Sequence, residues 1–206
     1  MADETVFFLL RHGETALTAE RRFSGSGGAD PALSERGRGQ AGQVAGAAVL
    51  EAVEAVVSSP LARCLETARP VADRLGLPVT VADGLRETAF GAWEGRTFAE
   101  VRERFPAELD AWFAGPAAAP PGGESFDDVT SRVAAARDEL LAAHRGRTVL
   151  LVSHVTPIKT LVRLALGAPH EAVFRMDLAP ASLSAVAHYP DGNASVRFLN
   201  ATAHLA

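Results

Sequence analysis

The 206 residues are 48% hydrophobic and 22% charged, the balance of an ordinary folded protein, and the length suits one substantial core with an inserted subdomain at most. A net charge of −5 without any run of Lys or Arg argues against a nucleic-acid footprint, so an anionic ligand must be held by local cations. The single cysteine, Cys64, excludes an internal disulfide framework and a cysteine-based zinc site, and Arg69 follows it one residue too soon for a cysteine-phosphatase loop.

The chain opens on the acidic Met1-Ala2-Asp3-Glu4, with no basic segment or long apolar stretch, which reads as a cytoplasmic protein without signal peptide or membrane span. A continuous apolar run over 6–10 is a strand covered on both faces. Residues 34–50 form an alanine-rich helix with Gly42 and Gly46 as weak points, and 54–57 a second strand. Ser59 fits a helix N-cap and Pro60 the first helical position, so 61–75 is helix, stopped by Gly76-Leu77-Pro78 before a short edge strand at 79–81. Between Gly84 and Gly123 the rhythm breaks into short helices carrying Phe98, Val101, Phe105, Leu109, Trp112 and Phe113; the aromatics Phe98, Phe105, Trp112 and Phe113 either line a pocket mouth or, as expected for most of them, fill the segment's own core. Ser125 and Asp128 resemble a capping box for a helix ending near Gly146. A buried strand at 148–152, a helix at 156–166 closed by Gly167, and a hairpin of 182–188 with 195–199 turning at Pro190-Asp191-Gly192-Asn193 complete the chain. The pattern is α/β: a three-layer sandwich with a mostly parallel central sheet, helices on both faces and a small inserted helical cap. We expect one domain over 1–206, with its core at 1–83 and 124–206 and the cap at about 84–123.

In open parallel sheets, ligands sit outside the carboxyl ends of strands. Arg11 and His12 follow the first strand, Arg63 lies in the first helical turn after the second, and Ser153 and His154 follow the strand at 148–152. Alone, each has a bland alternative: a hydrogen-bonded inert His12, a surface Arg63, a core His154. Together they favour a phosphate site. Two arginines grip phosphoryl oxygens while staying charged, and a neutral imidazole attacks phosphorus if one nitrogen is held as N–H. His144, His170, His188 and His204 show no paired spacing and read as structural. No metal is implied, nor any cofactor, since no dinucleotide-binding or Walker motif follows a strand.

Leu10-Arg11-His12-Gly13-Glu14-Thr15, Ser59-Pro60-Leu61-Ala62-Arg63, Leu85 to Gly95 with Glu87, Phe90-Gly91, Trp93 and Glu94, Pro121-Gly122-Gly123-Glu124-Ser125, and Val152-Ser153-His154 together resemble the histidine phosphatase (phosphoglycerate mutase-like) superfamily. The resemblance implies a phosphohistidine formed at His12. It also implies that Arg11, Arg63 and His154 bind the phosphoryl group, and that Glu87 serves as general acid and then base, a role favoured by a partly apolar cap. Thr18, Ser24, Gly25 and Val155 occupy positions where the family contacts phosphate or substrate, although Asn and Gln-Gly often stand where this chain has Thr18 and Ser24-Gly25. Glu87 is followed by Thr88-Ala89-Phe90-Gly91 rather than the mutase Glu-Arg-His-Tyr, and the insertion is compact. That favours hydrolysis of a phosphomonoester over mutase-type transfer, while the intact Arg11, His12, Arg63, Glu87 and His154 argue against a non-catalytic phospho-ligand module, because a binder does not need the acid. The expected enzyme is a metal-independent phosphatase of a small phosphorylated metabolite.

Residues 153–159 and 22–25 look closest to the acid phosphatase and α-ribazole phosphatase branch. Similar halves occur fused to ribonuclease H in actinobacteria, so the chain is a candidate fragment of a longer protein. The expected partner is the small phosphorylated substrate, with no nucleic acid and no membrane; a homodimer is an option the sequence leaves open.

Overall fold

The computed structural model describes residues 4–205; Met1–Asp3 of the acidic N-terminal segment and Ala206 lie outside the described residues. Six strands form one sheet in the order β3-β2-β4-β1-β5-β6: β1 (Thr5–Arg11), β2 (Ala55–Ser58), β3 (Val79–Val81), β4 (Thr148–Ser153), β5 (Leu183–His188) and β6 (Ala194–Ala201). The first four are mutually parallel, while β5 runs antiparallel to β1 and to β6.

Strand β1 explains the layering. Its side chains alternate between two apolar clusters, as strand geometry requires. Phe8 and Leu10 pack with Val44, Cys64, Ala68 and Val71, below helices α2 (Glu35–Ala45) and α3 (Ala62–Leu75). Phe7 and Leu9 pack with Val129, Val133, Ile158 and Val162, below α6 (Phe126–Ala143) and α7 (Val155–Ala165). The sheet is thus covered on both faces, as its unbroken apolar strands demand. Among the described residues no helix is long and apolar enough to cross a membrane.

Two expected helices begin or end elsewhere. The helix over 34–50 closes at Gly46, whose N–H bonds the Gln43 carbonyl, and resumes as a 3-10 turn over Ala48–Ala52. Helix α3 starts at Ala62 with Leu61 at its N-cap, so Ser59 is not the cap and Pro60 is not the first helical residue. Ser59 is drawn inward instead, its Oγ lying 2.8 Å from His154 Nε2, while the Asp30 carboxylate takes the free Ala62 N–H at 2.8 Å.

The segment after β3 carries α4 (Phe98–Arg104) and α5 (Pro106–Ala114), preceded by a one-turn helix α1 (Ala16–Ala19) near the N-terminus that sequence periodicity does not reveal. Trp93, Val101 and Leu109 are fully buried there. Phe98 and Phe113 are not: they are 47% and 41% exposed, correcting the expectation of an inward-facing aromatic set. Val101 and Leu109 fill the interior of this small unit, leaving these larger rings outside.

Backbones meet closely where β1 ends. A Cβ on Gly37 would fall 2.1 Å from the Glu14 carbonyl oxygen, and one on Gly13 would fall 2.7 Å from the Gly37 oxygen. Gly39, two residues along the same helix, faces open space. We therefore expect Gly37→Ala to destabilise the fold by about 1–3 kcal/mol, whereas Gly39→Ala stabilises it through helix propensity by up to about 1 kcal/mol. Thermal melting of the two variants beside the parent checks the opposite signs.

Candidate active site

The register of the sheet gathers the polar residues. Arg11 stands opposite Ser153, and Ser58 opposite Val152, so β1, β2 and β4 end together. The His12 N–H bonds the Ser153 carbonyl at 3.0 Å and the Ser59 N–H the Val152 carbonyl at 2.9 Å, which carries the alignment one residue beyond the strands.

His12 is buried at the floor of a cavity of about 770 Å³. Its Nδ1 lies 2.7 Å from the Gly13 carbonyl oxygen, so Nδ1 bears the proton and Nε2 the lone pair. Burial, reinforced by the Arg11 and Arg63 guanidiniums, holds the imidazole well below the usual value of 6.5. The Gly13 N–H donates to Thr67 Oγ1 at 3.0 Å, and that hydroxyl donates to the Arg63 carbonyl at 2.7 Å, tying the loop to α3.

Arg11 also lines the cavity. Its Nη1 donates to the Leu178 carbonyl at 2.5 Å, and its Nε is buried with no partner among the described residues. Such an orphaned donor is uncommon in folded proteins and calls for an explanation.

Arg63 is fully buried and its guanidinium is spent on the protein: on Asp30 at 3.3 Å, on the Ser24 and Gly25 carbonyls at 2.9 and 3.3 Å, and on His154 Nδ1 at 3.3 Å. Because His154 accepts at Nδ1, its Nε2–H is the one that donates to Ser59 Oγ. Burial, then the neighbouring His12 and the two arginines, keeps His154 neutral far below 6.5. The two imidazole rings lie 5.1 Å apart.

Glu87 lines the cavity from the segment between β3 and α4, with one carboxylate oxygen accepting from the Thr88 N–H at 2.8 Å and the other from the Thr156 N–H at 3.4 Å. Its backbone is held from α6, where Arg132 donates to the Gly84, Arg86 and Glu87 carbonyls at 3.0, 2.7 and 3.2 Å and pairs with Glu124 at 2.8 Å. Glu124 in turn accepts from the Ala89 N–H at 2.9 Å.

Of the residues singled out from sequence, Arg11, His12, Thr18, Ser24, Glu87 and Val155 line the cavity. Arg63 and His154 do not: both are fully buried, with the His154 ring 5.1 Å from that of His12. Nor does Gly25, its N–H on Glu94 at 2.8 Å and its carbonyl on Arg63. Sequence reasoning left Phe98 and Trp112 between the pocket mouth and the cap's own core, and did not single out Phe126, Phe174 or Lys159 as site residues. Phe98, Trp112, Phe126 and Phe174 form an aromatic wall in which Trp112 stacks on Phe126 at 4.6 Å, and Lys159 faces the same cavity from α7. Cys64, expected as a small buried hydrophobe, is buried, and its Sγ also lies 3.3 Å from His154 Nε2. Phe98 and Trp112 had a signal as cap aromatics, and Lys159 as the last residue of the stretch that begins at Ser153. Among the described residues no group of three His, Cys, Asp or Glu is placed to hold a metal ion.

A profile of the histidine phosphatase superfamily (branch 1) matches residues 7–201, and the chain belongs to that family. It is 50% identical over 202 residues to a bifunctional protein of Mycobacterium tuberculosis, covering 98% of this chain and 55% of that protein, so it spans about half the length of such curated relatives. It is 32% identical to phosphoserine phosphatase 1 of Hydrogenobacter thermophilus, over 96% of this chain and 92% of that one. Among solved structures, mycobacterial glucosyl-3-phosphoglycerate phosphatase in complex with VO3 superposes with a TM-score of 0.85 at 32% identity, over 96% of this chain and 99% of that chain.

The buried imidazoles set a pH dependence. An unfolded histidine takes a proton near 6.5, while His12 and His154 in the folded protein refuse it until much lower pH. The unfolded state therefore binds more protons in that interval, and stability present above pH 6.5 is lost as pH falls below it. We expect the melting temperature to drop between pH 7.5 and 5 by more in the parent than in His154→Gln, as followed by differential scanning calorimetry.

Proposed function

We propose that the chain is a metal-independent phosphomonoester hydrolase acting on a small phosphorylated metabolite through a covalent phosphohistidine at His12. One observation carries the reading: a neutral imidazole with Nδ1–H fixed on a backbone carbonyl and Nε2 free, beside an arginine whose Nε has no protein partner. The phosphatase activities in the names of its relatives support the same class.

The chemistry follows from the positions. The substrate phosphoryl group binds against Arg11, with the buried Arg63 adding positive potential and the neutral His154, bonded to Arg63 and Ser59, packing beside the His12 ring. The His12 Nε2 lone pair forms a bond to phosphorus as the ester P–O bond breaks, and the departing oxygen takes its proton from Glu87. The carboxylate then removes a proton from water, whose oxygen attacks phosphorus while the N–P bond electrons return to His12. Thr18, Ser24 and Val155 are placed as wall contacts for the bound ester, and the protein is proposed to work in the cytoplasm.

His12→Ala should abolish hydrolysis of p-nitrophenyl phosphate, and rapid acid quench of the parent should trap a phosphohistidine. Activity persisting in His12→Ala would sink the reading. Glu87→Gln should slow alkyl phosphates by about 100- to 10,000-fold and p-nitrophenyl phosphate much less, because that phenolate leaves without a proton; steady-state rates on both substrates compare the two. Treatment with EDTA should leave the rates unchanged.

A further inference from the structure

The cations lining the cavity are nearly all committed to the protein. Arg22 is tied to Glu20 at 2.6 Å, to Glu100 at 3.2 Å and to the Gly95 carbonyl at 2.9 Å. Arg36 stands three-quarters exposed, 3.7 Å from Glu14. Arg11 has one nitrogen on the Leu178 carbonyl, and its Nε is buried without a partner among the described residues. Arg21 sits exposed at the rim.

Lys159 differs from all of these. It is the only lysine in the chain, half-buried on α7, and no described carboxylate or carbonyl is bonded to its ammonium. Burial lowers its proton affinity, countered by Asp177 and then Glu87, with Arg11 acting in the same sense as burial. Neither acid forms an ion pair with it. A half-desolvated cation without a partner, on the wall of a cavity, is stabilised by a ligand that brings the missing charge.

Position fixes where that charge must be. Thr156 and Lys159 are three residues apart on α7 and both line the cavity, so they share a face about 4.5 Å apart along the axis. The Thr156 N–H touches Glu87, the group placed at the leaving oxygen. Lys159 therefore lies about one helical turn along α7 from the residue that touches Glu87, on the same cavity wall.

We propose that Lys159 is a specificity-determining residue whose ammonium binds a carboxylate on the alcohol portion of the substrate, so that the preferred substrates are phosphorylated small hydroxy acids rather than phosphorylated neutral polyols. This inference rests on the phosphomonoesterase reading above. A carboxylate one or two carbons from the ester oxygen spans the interval. Arg11 then takes the phosphoryl charge and Lys159 the carboxylate charge, and a neutral alcohol leaves Lys159 unpaired.

The test compares 3-phosphoglycerate with glycerol 3-phosphate, which share a three-carbon chain and differ in the acid. Lys159→Met should lower the ratio of kcat/KM for 3-phosphoglycerate over glycerol 3-phosphate at least tenfold, about 1.4 kcal/mol, chiefly through KM. Lys159→Arg should retain most of the ratio, and Lys159→Gln provides a second neutral variant should the Met protein fold poorly. A ratio unchanged within twofold in both neutral variants overturns the proposal. So does an equal loss on both substrates, which would put Lys159 on the phosphoryl group. If the parent hydrolyses neither ester nor p-nitrophenyl phosphate, the phosphatase reading fails separately. Calorimetric binding of the same two ligands then decides the Lys159 question, a selective loss of 3-phosphoglycerate binding supporting it and parallel binding overturning it.

Discussion

A fully buried guanidinium must find every partner it needs inside the protein, and Arg63 imposes that demand on its surroundings. Its donors take the carbonyls of Ser24 and Gly25, the carboxylate of Asp30 and one nitrogen of His154. Through these contacts a single side chain from α3 fixes the loop after α1, the segment leading to α2 and the tautomer of an imidazole at the end of β4. Removing it would take a donor from each of these four acceptors, of which the Asp30 carboxylate keeps another, the Ala62 N–H. The same charge adds to burial and to Arg11 in keeping His12 unprotonated, so one residue shapes the local architecture and contributes to the state of the nucleophilic nitrogen.

The opposite wall is held by a comparable device. Arg132 reaches from α6 to three carbonyls of the segment carrying Glu87, and its pairing with Glu124 passes the constraint on to Ala89. Glu94 repeats the pattern in reverse, an acid accepting the N–H groups of Gly25 and Phe90. The cavity is thus framed by buried or half-buried ions satisfied by backbone, with few direct side-chain pairs. Charge-assisted bonds to backbone fix loops that have no regular hydrogen-bond ladder of their own.

Most of the core was legible because its strands are continuous apolar runs, whose length and spacing leave little choice beyond a doubly covered sheet. Arg11, His12, Arg63 and His154 were legible because each ends a strand or follows one by a few residues, and the parallel register does the gathering. What escaped depends on contacts between segments distant in sequence. Ser59 has the look of a helix cap, yet a buried imidazole 95 residues away outcompetes the helix for its hydroxyl. Arg132 reads as one more polar helix position until the carbonyls 45 to 48 residues before it come into view. The aromatic residues at 98 and 113 have helical spacing, but a unit this small has too little interior for all of them.

The close approach of Gly13 and Gly37 gives the cavity walls unequal mechanical character. Where α2 meets the loop after β1, main chain lies against main chain, with no side chain between to rotate or compress. His12 is therefore referenced to a hard stop, a distance set by atomic radii alone. The facing wall is built of Phe98, Trp112, Phe126 and Phe174, rings meeting edge to face or in loose stacks, and Phe98 and Phe174 are partly open to solvent. Rings packed this way can tilt by small amounts at little cost. Reshaping the soft side by substitution would alter the accommodated alcohol while the reacting nitrogen keeps its datum, which makes this scaffold suited to changes of substrate without loss of chemistry.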